Sequence, residues 1–273
     1  MKGKLERGTD RDSTGFPIRC PGDFPFVIRR KRGIFRRMRS ALLVLAAVLS
    51  LTAAPIAKAD PVPPGPGEYI LISGGVSLNV WEKWKANPHD GWWMNFIRAA
   101  RIRINEIQAA NPNADITWFV FKPSYGSRGA QDGRDYYSLI RSVQDAYKVR
   151  LVYFDRTSEL INYLNNGQNR RTTPICNLEY FGHSNKACFM FDYSNNIDSA
   201  SKVWLHEKEL GQLKRGIFAR GAYVKSWGCH TGESFSKKFA SATGVRMIGA
   251  KGKTQYMDEE LPILSTLGGY WIR

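Results

Sequence analysis

From residue 68 onward the chain alternates compact apolar runs with stretches of helical period. Residues 68–73, 116–121, 149–154, 175–181, 222–227 and 245–250 are rich in Ile, Val, Phe, Tyr and Trp, and each is closed within two residues by Gly, Pro or Asp. Such runs predict buried strands. Between them, residues 95–110 carry Phe96, Ile97, Ala100, Ile104 and Ile107 at helical spacing, with Arg98, Arg101 and Arg103 interspersed. This predicts an amphipathic helix that stops at Asn111-Pro112-Asn113. Helices are also predicted over 135–147, over 157–164 behind a Thr157/Ser158 cap, near 204–213, and over 233–242. Residues 123–134 read as a Gly-rich polar loop long enough to line a site, and 188–193 as an irregular aromatic stretch. Strands alternating with helices predict an α/β fold around a mostly parallel, roughly six-stranded sheet with right-handed crossovers.

The N-terminal pattern is different. In residues 38–59 a basic flank precedes the apolar core Ala41-Leu42-Leu43-Val44-Leu45-Ala46-Ala47-Val48-Leu49, and the segment ends Ala57-Lys58-Ala59. The core is short for a membrane span, so the segment reads as a signal peptide cut before Asp60, with a membrane anchor as the alternative. The expected location is the periplasm or the extracellular space, with no span left after cleavage. Residues 1–37 form a basic extension, and Met38, the first residue of the signal segment, reads as an alternative start. Residues 60–67 are a Pro/Gly linker, and 68–273 make one domain.

This division changes the meaning of the charge. The chain carries a net +16, but residues 1–59 hold 13 basic and 4 acidic side chains, which leaves +7 for residues 60–273. A diffuse +7 without a clustered patch does not indicate a nucleic-acid partner. The same cut leaves three cysteines, Cys176, Cys188 and Cys229. An odd number in an exported protein points to a free, reactive thiol. Cys176 and Cys188 flank the Gly182-His183 turn and are a possible disulfide pair; three buried thiols are the alternative. Trp81, Trp84, Trp92 and Trp93 are read as core and staple contacts, with ligand stacking as the alternative.

Two strand ends carry the candidate chemistry. Residues 175–181 run into Gly182-His183-Ser184, and residues 222–227 into Gly228-Cys229-His230-Thr231-Gly232. Ligands of open α/β sheets bind beyond the carboxyl ends of the strands, so a His and a Cys placed there can face one cleft. Cys229 would be the nucleophile and His183 its base and acid. The helix expected from Thr231 would favour negative charge on the sulfur, and amides at Gly182, Ser184 and His230 would receive an oxyanion.

A strand ending in Gly-His and a strand ending in Gly-Cys-x-Thr-Gly some 45 residues later resemble the caspase-type clan of cysteine peptidases, over about residues 149–254. The resemblance implies a caspase-like three-layer fold, a His183–Cys229 dyad and a protein or peptide substrate. The family usually has Gly after its His, where Ser184 stands here. Arg128, Lys251 and Lys253 are candidates for the substrate walls, and no cofactor or metal is expected. A catalytically inactive binding module at the cell envelope and a serine hydrolase using Ser184 are the alternatives. The serine elbow lacks its final Gly, which Lys186 replaces. The phosphate-loop-like 249–254 has Met247 where the first Gly is required, and His206-Glu207 lacks the second His of a zinc helix.

Overall fold

A computed structural model of the chain describes residues 60–63, 65–78, 92–192 and 202–273. The predicted extension, the signal peptide, Trp81 and Trp84 lie outside the described residues. Strand β1 (Glu68–Ser73) is followed by α1 (Asn95–Ala110), β2 (Asp115–Phe121), α2 (Lys122–Asp132), α3 (Tyr136–Tyr147), β3 (Arg150–Phe154) and α4 (Thr157–Asn166). Next come β4 (Ile175–Phe181), the short strands β5 (His183–Ser184), β6 (Cys188–Met190) and β7 (Trp204–His206), and a 3-10 turn at Glu207–Gln212. Strand β8 (Phe218–Ser226) leads to α5 (Phe235–Thr243), and β9 (Gly249–Lys251), β10 (Thr254–Gln255), β11 (Ile263–Leu264) and β12 (Tyr270–Ile272) complete the chain.

The central sheet has five strands in the order β3-β2-β1-β4-β8, and every pairing is parallel. Beyond β8 only one isolated parallel bridge, Lys225 to Ile248, continues it. The strand predicted over 245–250 is therefore reduced to β9, which pairs antiparallel with β12. Successive strand residues face opposite sides. Ile70, Ile72, Phe119, Phe121 and Leu178 meet Leu160 and Leu164 of α4 and Phe235 and Phe239 of α5. Tyr69, Leu71, Trp118 and Val120 meet Phe96, Ala100 and Ile104 of α1, Tyr125 of α2 and Ile140 of α3. The molecule is thus a three-layer α/β structure. Each large side chain buried this way contributes about 1.5–3 kcal/mol.

Two buried carboxylates of this core, Glu179 and Glu68, are paired with basic side chains. Arg103 of α1 and Glu179 of β4 are both fully buried and bonded at 2.6 Å, and Trp227 Nε1 donates to the second Glu179 oxygen at 2.8 Å. Glu68, also fully buried, accepts from Tyr163 and from Arg170. Breaking such a pair by removing one partner typically costs about 3–5 kcal/mol, because the other charge is stranded.

Several elements differ from expectation. Residues 122–132 are helical: Pro123 opens the first turn and Gly133 closes it in the left-handed region, which is the Pro-start and Gly-stop asymmetry of helices. Gly126 and Gly129 serve close packing, since a Cβ would lie 2.2 Å from Tyr137 Oη and 2.6 Å from the Arg134 carbonyl respectively. The irregular stretch at 188–193 contains β6, hydrogen-bonded to β5 and β7. Residues 204–213 are a strand and a 3-10 turn, and the helix expected from 233 begins at Phe235. The Pro/Gly segment is held against the domain: Arg103 donates to the carbonyls of Asp60 and Pro61, and Tyr69 Oη to that of Pro63. No helix among the described residues is long and apolar enough to cross a membrane.

Candidate functional site

Strand order reverses between β1 and β4, since β2 and β3 lie on one side of β1 and β4 and β8 on the other. In open α/β sheets the ligand crevice opens at this point, beyond the carboxyl ends of the strands. The segments found there are Gly74-Gly75 after β1, Gly182-His183-Ser184 after β4, and Gly228-Cys229-His230 after β8.

His183 is positioned from several sides. Its carbonyl accepts from Tyr180 Oη at 2.6 Å, and the amide of Gly182 before it donates to Tyr256 Oη at 2.8 Å. Its ring lies edge-on to Phe96 at 5.1 Å, and Phe96 in turn contacts Tyr256 at 4.8 Å. His183 as a residue is half-buried.

Cys229 sits on the adjoining turn. Trp227 N donates to the Tyr180 carbonyl at 2.8 Å and so carries the β4–β8 pairing to the end of the strand. The Thr254 amide donates to Cys229 Sγ at 3.3 Å, while Thr254 Oγ1 donates to the Trp227 carbonyl at 2.8 Å. Ser184 Oγ donates to the Cys229 carbonyl at 2.7 Å. At Gly228 a Cβ would lie 2.1 Å from Ser184 Oγ and 2.9 Å from the Gly182 carbonyl. The turns bearing His183 and Cys229 therefore touch.

Other predicted residues have different roles. The Gly182 amide is bonded to Tyr256, and the His230 amide to the Gly252 carbonyl at 2.7 Å, so neither points unoccupied into the crevice. His230 has a positive φ of 61°, a sparsely populated conformation for a side-chain-bearing residue. Its Nδ1 bonds Glu233 Oε1 at 2.6 Å, which holds the Glu233 carboxyl below its usual range. Arg128, expected at a substrate wall, has little exposed surface. It is buried, paired with Asp132 at 2.7 Å, and donates to the Ser77 carbonyl. Lys251 and Lys253 are exposed at the β9–β10 turn; Lys253 precedes Thr254, whose amide reaches the thiol, while Lys251 Nζ is directed at the Tyr270 hydroxyl at 3.4 Å. The turns at 228–234 separate Cys229 from α5, so it is outside the first helical turn, where the dipole acts.

The remaining thiols have another character. Cys176 donates to the Glu68 carbonyl, Cys188 lies beside Asn185, and both are free. Burial pushes each thiol up to about 11. Cys229 alone of the three is partly accessible. Among the described residues no group of three His, Cys, Asp or Glu side chains is arranged to hold a metal. An open cleft of about 450 Å³ between α2 and α3, lined by Tyr125, Gly129, Arg134 and Tyr136, contains none of these site residues.

Sequence reasoning did not single out Tyr180 or Phe96 as parts of the site, and it took the segment 251–256, which includes Thr254, for a substrate wall rather than a support of the thiol. The only available signal for Tyr180 and Phe96 was their position on or next to elements whose ends carry His183 and Cys229.

Fold and site define a three-layer α/β protein with a parallel central sheet and a histidine and a half-buried thiol at adjacent strand ends. Comparison with known proteins yields no match: no family model, no curated protein and no solved structure is similar to the chain.

Proposed function

We propose that the protein is an exported cysteine peptidase of caspase-like type, with Cys229 as nucleophile and His183 as proton carrier. The supporting observation is the contact between the two strand-end turns, made by Ser184 Oγ on the Cys229 carbonyl. In the proposed reaction the Cys229 thiolate attacks a peptide carbonyl, forming a tetrahedral adduct. His183, protonated by the thiol, gives its proton to the leaving amine as the C–N bond breaks. Water, deprotonated by His183, then attacks the thioester, releasing a carboxylic acid and restoring the thiol. The Thr254 amide, directed at the sulfur, favours negative charge there. The segment 251–256, with Lys251 and Lys253, forms one wall of the substrate cleft in this reading.

The serine-hydrolase reading has less support, because the Ser184 hydroxyl proton is donated to a carbonyl. Digestion of a proteome-derived peptide library separates the alternatives, with new termini identified by mass spectrometry. Wild type is expected to generate termini after a restricted set of residues, and Cys229→Ala and His183→Ala to generate none. Cleavage that persists in Cys229→Ala but disappears with Ser184→Ala transfers the reaction to serine. A library unchanged by wild type leaves the inactive-module reading in place.

A further inference from the structure

The clearest built receptor outside the thiol site lies on the α1 face of the sheet and is already occupied by residues 60–63. Asp60 Oδ1 accepts from Lys225 Nζ at 2.8 Å and from Tyr223 Oη at 2.5 Å. Arg103 Nη1 donates to the Asp60 carbonyl at 3.1 Å, and Nη2 to the Pro61 carbonyl at 2.8 Å. Tyr69 Oη holds the Pro63 carbonyl at 2.5 Å. Lys225 and Arg103 are almost wholly buried, and Lys225 Nζ lies 3.3 Å from the Trp227 ring centroid and 4.3 Å from that of Trp271. Asn177, the register neighbour of both Tyr69 and Tyr223, has both side-chain amide atoms buried without a partner. A linker has no need of such a receptor, and a buried lysine does need a counter-ion.

The charge count of the receptor is incomplete. Arg103 and Lys225 contribute two positive charges, and Asp60, Glu106 and Glu179 three negative ones. Glu106 Oε2 lies 2.8 Å from the same Arg103 Nη1 that holds the Asp60 carbonyl, so a carboxylate sits beside the residue 60 backbone. The sequence pattern at Ala57-Lys58-Ala59 independently marks the bond before Asp60 for cleavage.

We propose that this trough is a receptor for a processed N-terminus, and that cutting between Ala59 and Asp60 supplies its missing positive charge as a new α-ammonium beside Glu106. A signal peptidase breaks the Ala59–Asp60 peptide bond with one water, leaving the Ala59 carboxylate on the leader and the Asp60 ammonium on the domain. The terminus becomes part of the folded core, and Asp60 is the first residue the fold cannot lose. Because Lys225 and Glu179 lie on the strands that lead to Cys229 and His183, the clasp also ties those two strands together. The proposal does not depend on what the thiol does.

The test uses the full chain, expressed with export and purified after processing. Mass spectrometry should place the mature terminus at Asp60, and a terminus downstream of Asp60 overturns the proposal. Thermal unfolding of wild type, Glu106→Gln and Asp60→Asn is then followed between pH 6 and 9.5. The groups facing the new ammonium are Asp60, Glu106 and Arg103, with Glu179, Tyr223 and Lys225 behind them. A carboxylate partner raises an amine above its ordinary value near about 8. The stabilisation is then full below that value and lost as pH rises through the folded one. Glu106→Gln should unfold about 3 °C below wild type at pH 6–7, with the gap closing by pH 9.5. A gap independent of pH means that Glu106 only braces Arg103, and sinks the proposal. Asp60→Asn should lower Tm by about 10 °C, because it leaves Lys225 without its paired carboxylate; an unchanged Tm contradicts the receptor.

Discussion

Ser184 and Gly228 act as one unit at the residue scale. Where the resembled family has Gly after its histidine, this chain has a serine whose hydroxyl reaches across to the Cys229 carbonyl. Gly228 is the complement of that change, because only a residue without Cβ fits beneath Ser184 Oγ. Gly228→Ala should therefore cost about 2 kcal/mol through overpacking. In a Ser184→Gly background the same change should cost about 1 kcal/mol, since only the Gly182 carbonyl still crowds it. Urea unfolding of the four proteins measures the coupling. Strict additivity would show that the two turns are independent and remove the contact on which the site reading depends. Arg103 gives a second lesson at this scale. It lies three residues after Ala100 and four before Ile107, on the apolar stripe of α1, and a single Glu interrupts the apolar run 175–181. Neither was singled out in the sequence, where Arg103 reads as one of three arginines interspersed along the helix. Their pairing was not legible either, because 76 residues separate them and no local pattern encodes which partner the fold will bring.

Long apolar runs made the five sheet strands and α1 legible as elements, because period and burial coincide there. Helix α2 was not legible: Gly126 and Gly129 lower helix propensity and imitate a loop. Tertiary packing overrides that preference, since a Cβ on Gly129 would meet the Arg134 carbonyl of the α2–α3 connection and one on Gly126 the Tyr137 hydroxyl. Gly129→Ala, a change that propensity alone scores as stabilising by up to about 1 kcal/mol, should instead destabilise by about 1–3 kcal/mol, because the obstacle is the Arg134 backbone carbonyl. Chemical denaturation decides the sign, and a gain in stability would mean that the α2–α3 connection yields easily. The strand ends of the candidate site were legible from Gly182-His183 and Gly228-Cys229. The segment 251–256 was expected at the crevice as a substrate wall; its supporting bonds, of Tyr256 Oη with the Gly182 amide and of the Thr254 amide with Cys229 Sγ, were not, because no spacing encodes them. The helix dipole expected at Cys229 failed for a local reason, since the turns at 228–234 delay α5 until Phe235.

The whole molecule stores many protons in buried acids. Burial pushes Cys176 and Cys188 up to about 11 and Tyr153 up to about 12, and raises Tyr180 and Tyr223 well above the ordinary phenol value. For groups raised in the folded state, the stabilisation is complete below the unfolded value and lost as pH climbs through the folded one. Tm should therefore hold up to about pH 8.5 and fall progressively above about pH 9, first as the two thiols and then as the tyrosines titrate. Circular dichroism melts across pH 7–11 measure this, and a flat profile to pH 11 would contradict the burial of these groups. The same folded context should single out Cys229, the one partly accessible cysteine of the three, whose sulfur lies against the Thr254 amide. The most direct measurement is brief iodoacetamide exposure of the native, exported protein at pH 7, with the modified residue mapped by mass spectrometry in wild type and His183→Ala. One adduct per chain at Cys229, formed faster than on a model thiol and about tenfold more slowly without His183, is the predicted result. Labelling of Cys229 only after denaturation, or at the same rate in both proteins, would contradict a thiol centre served by His183.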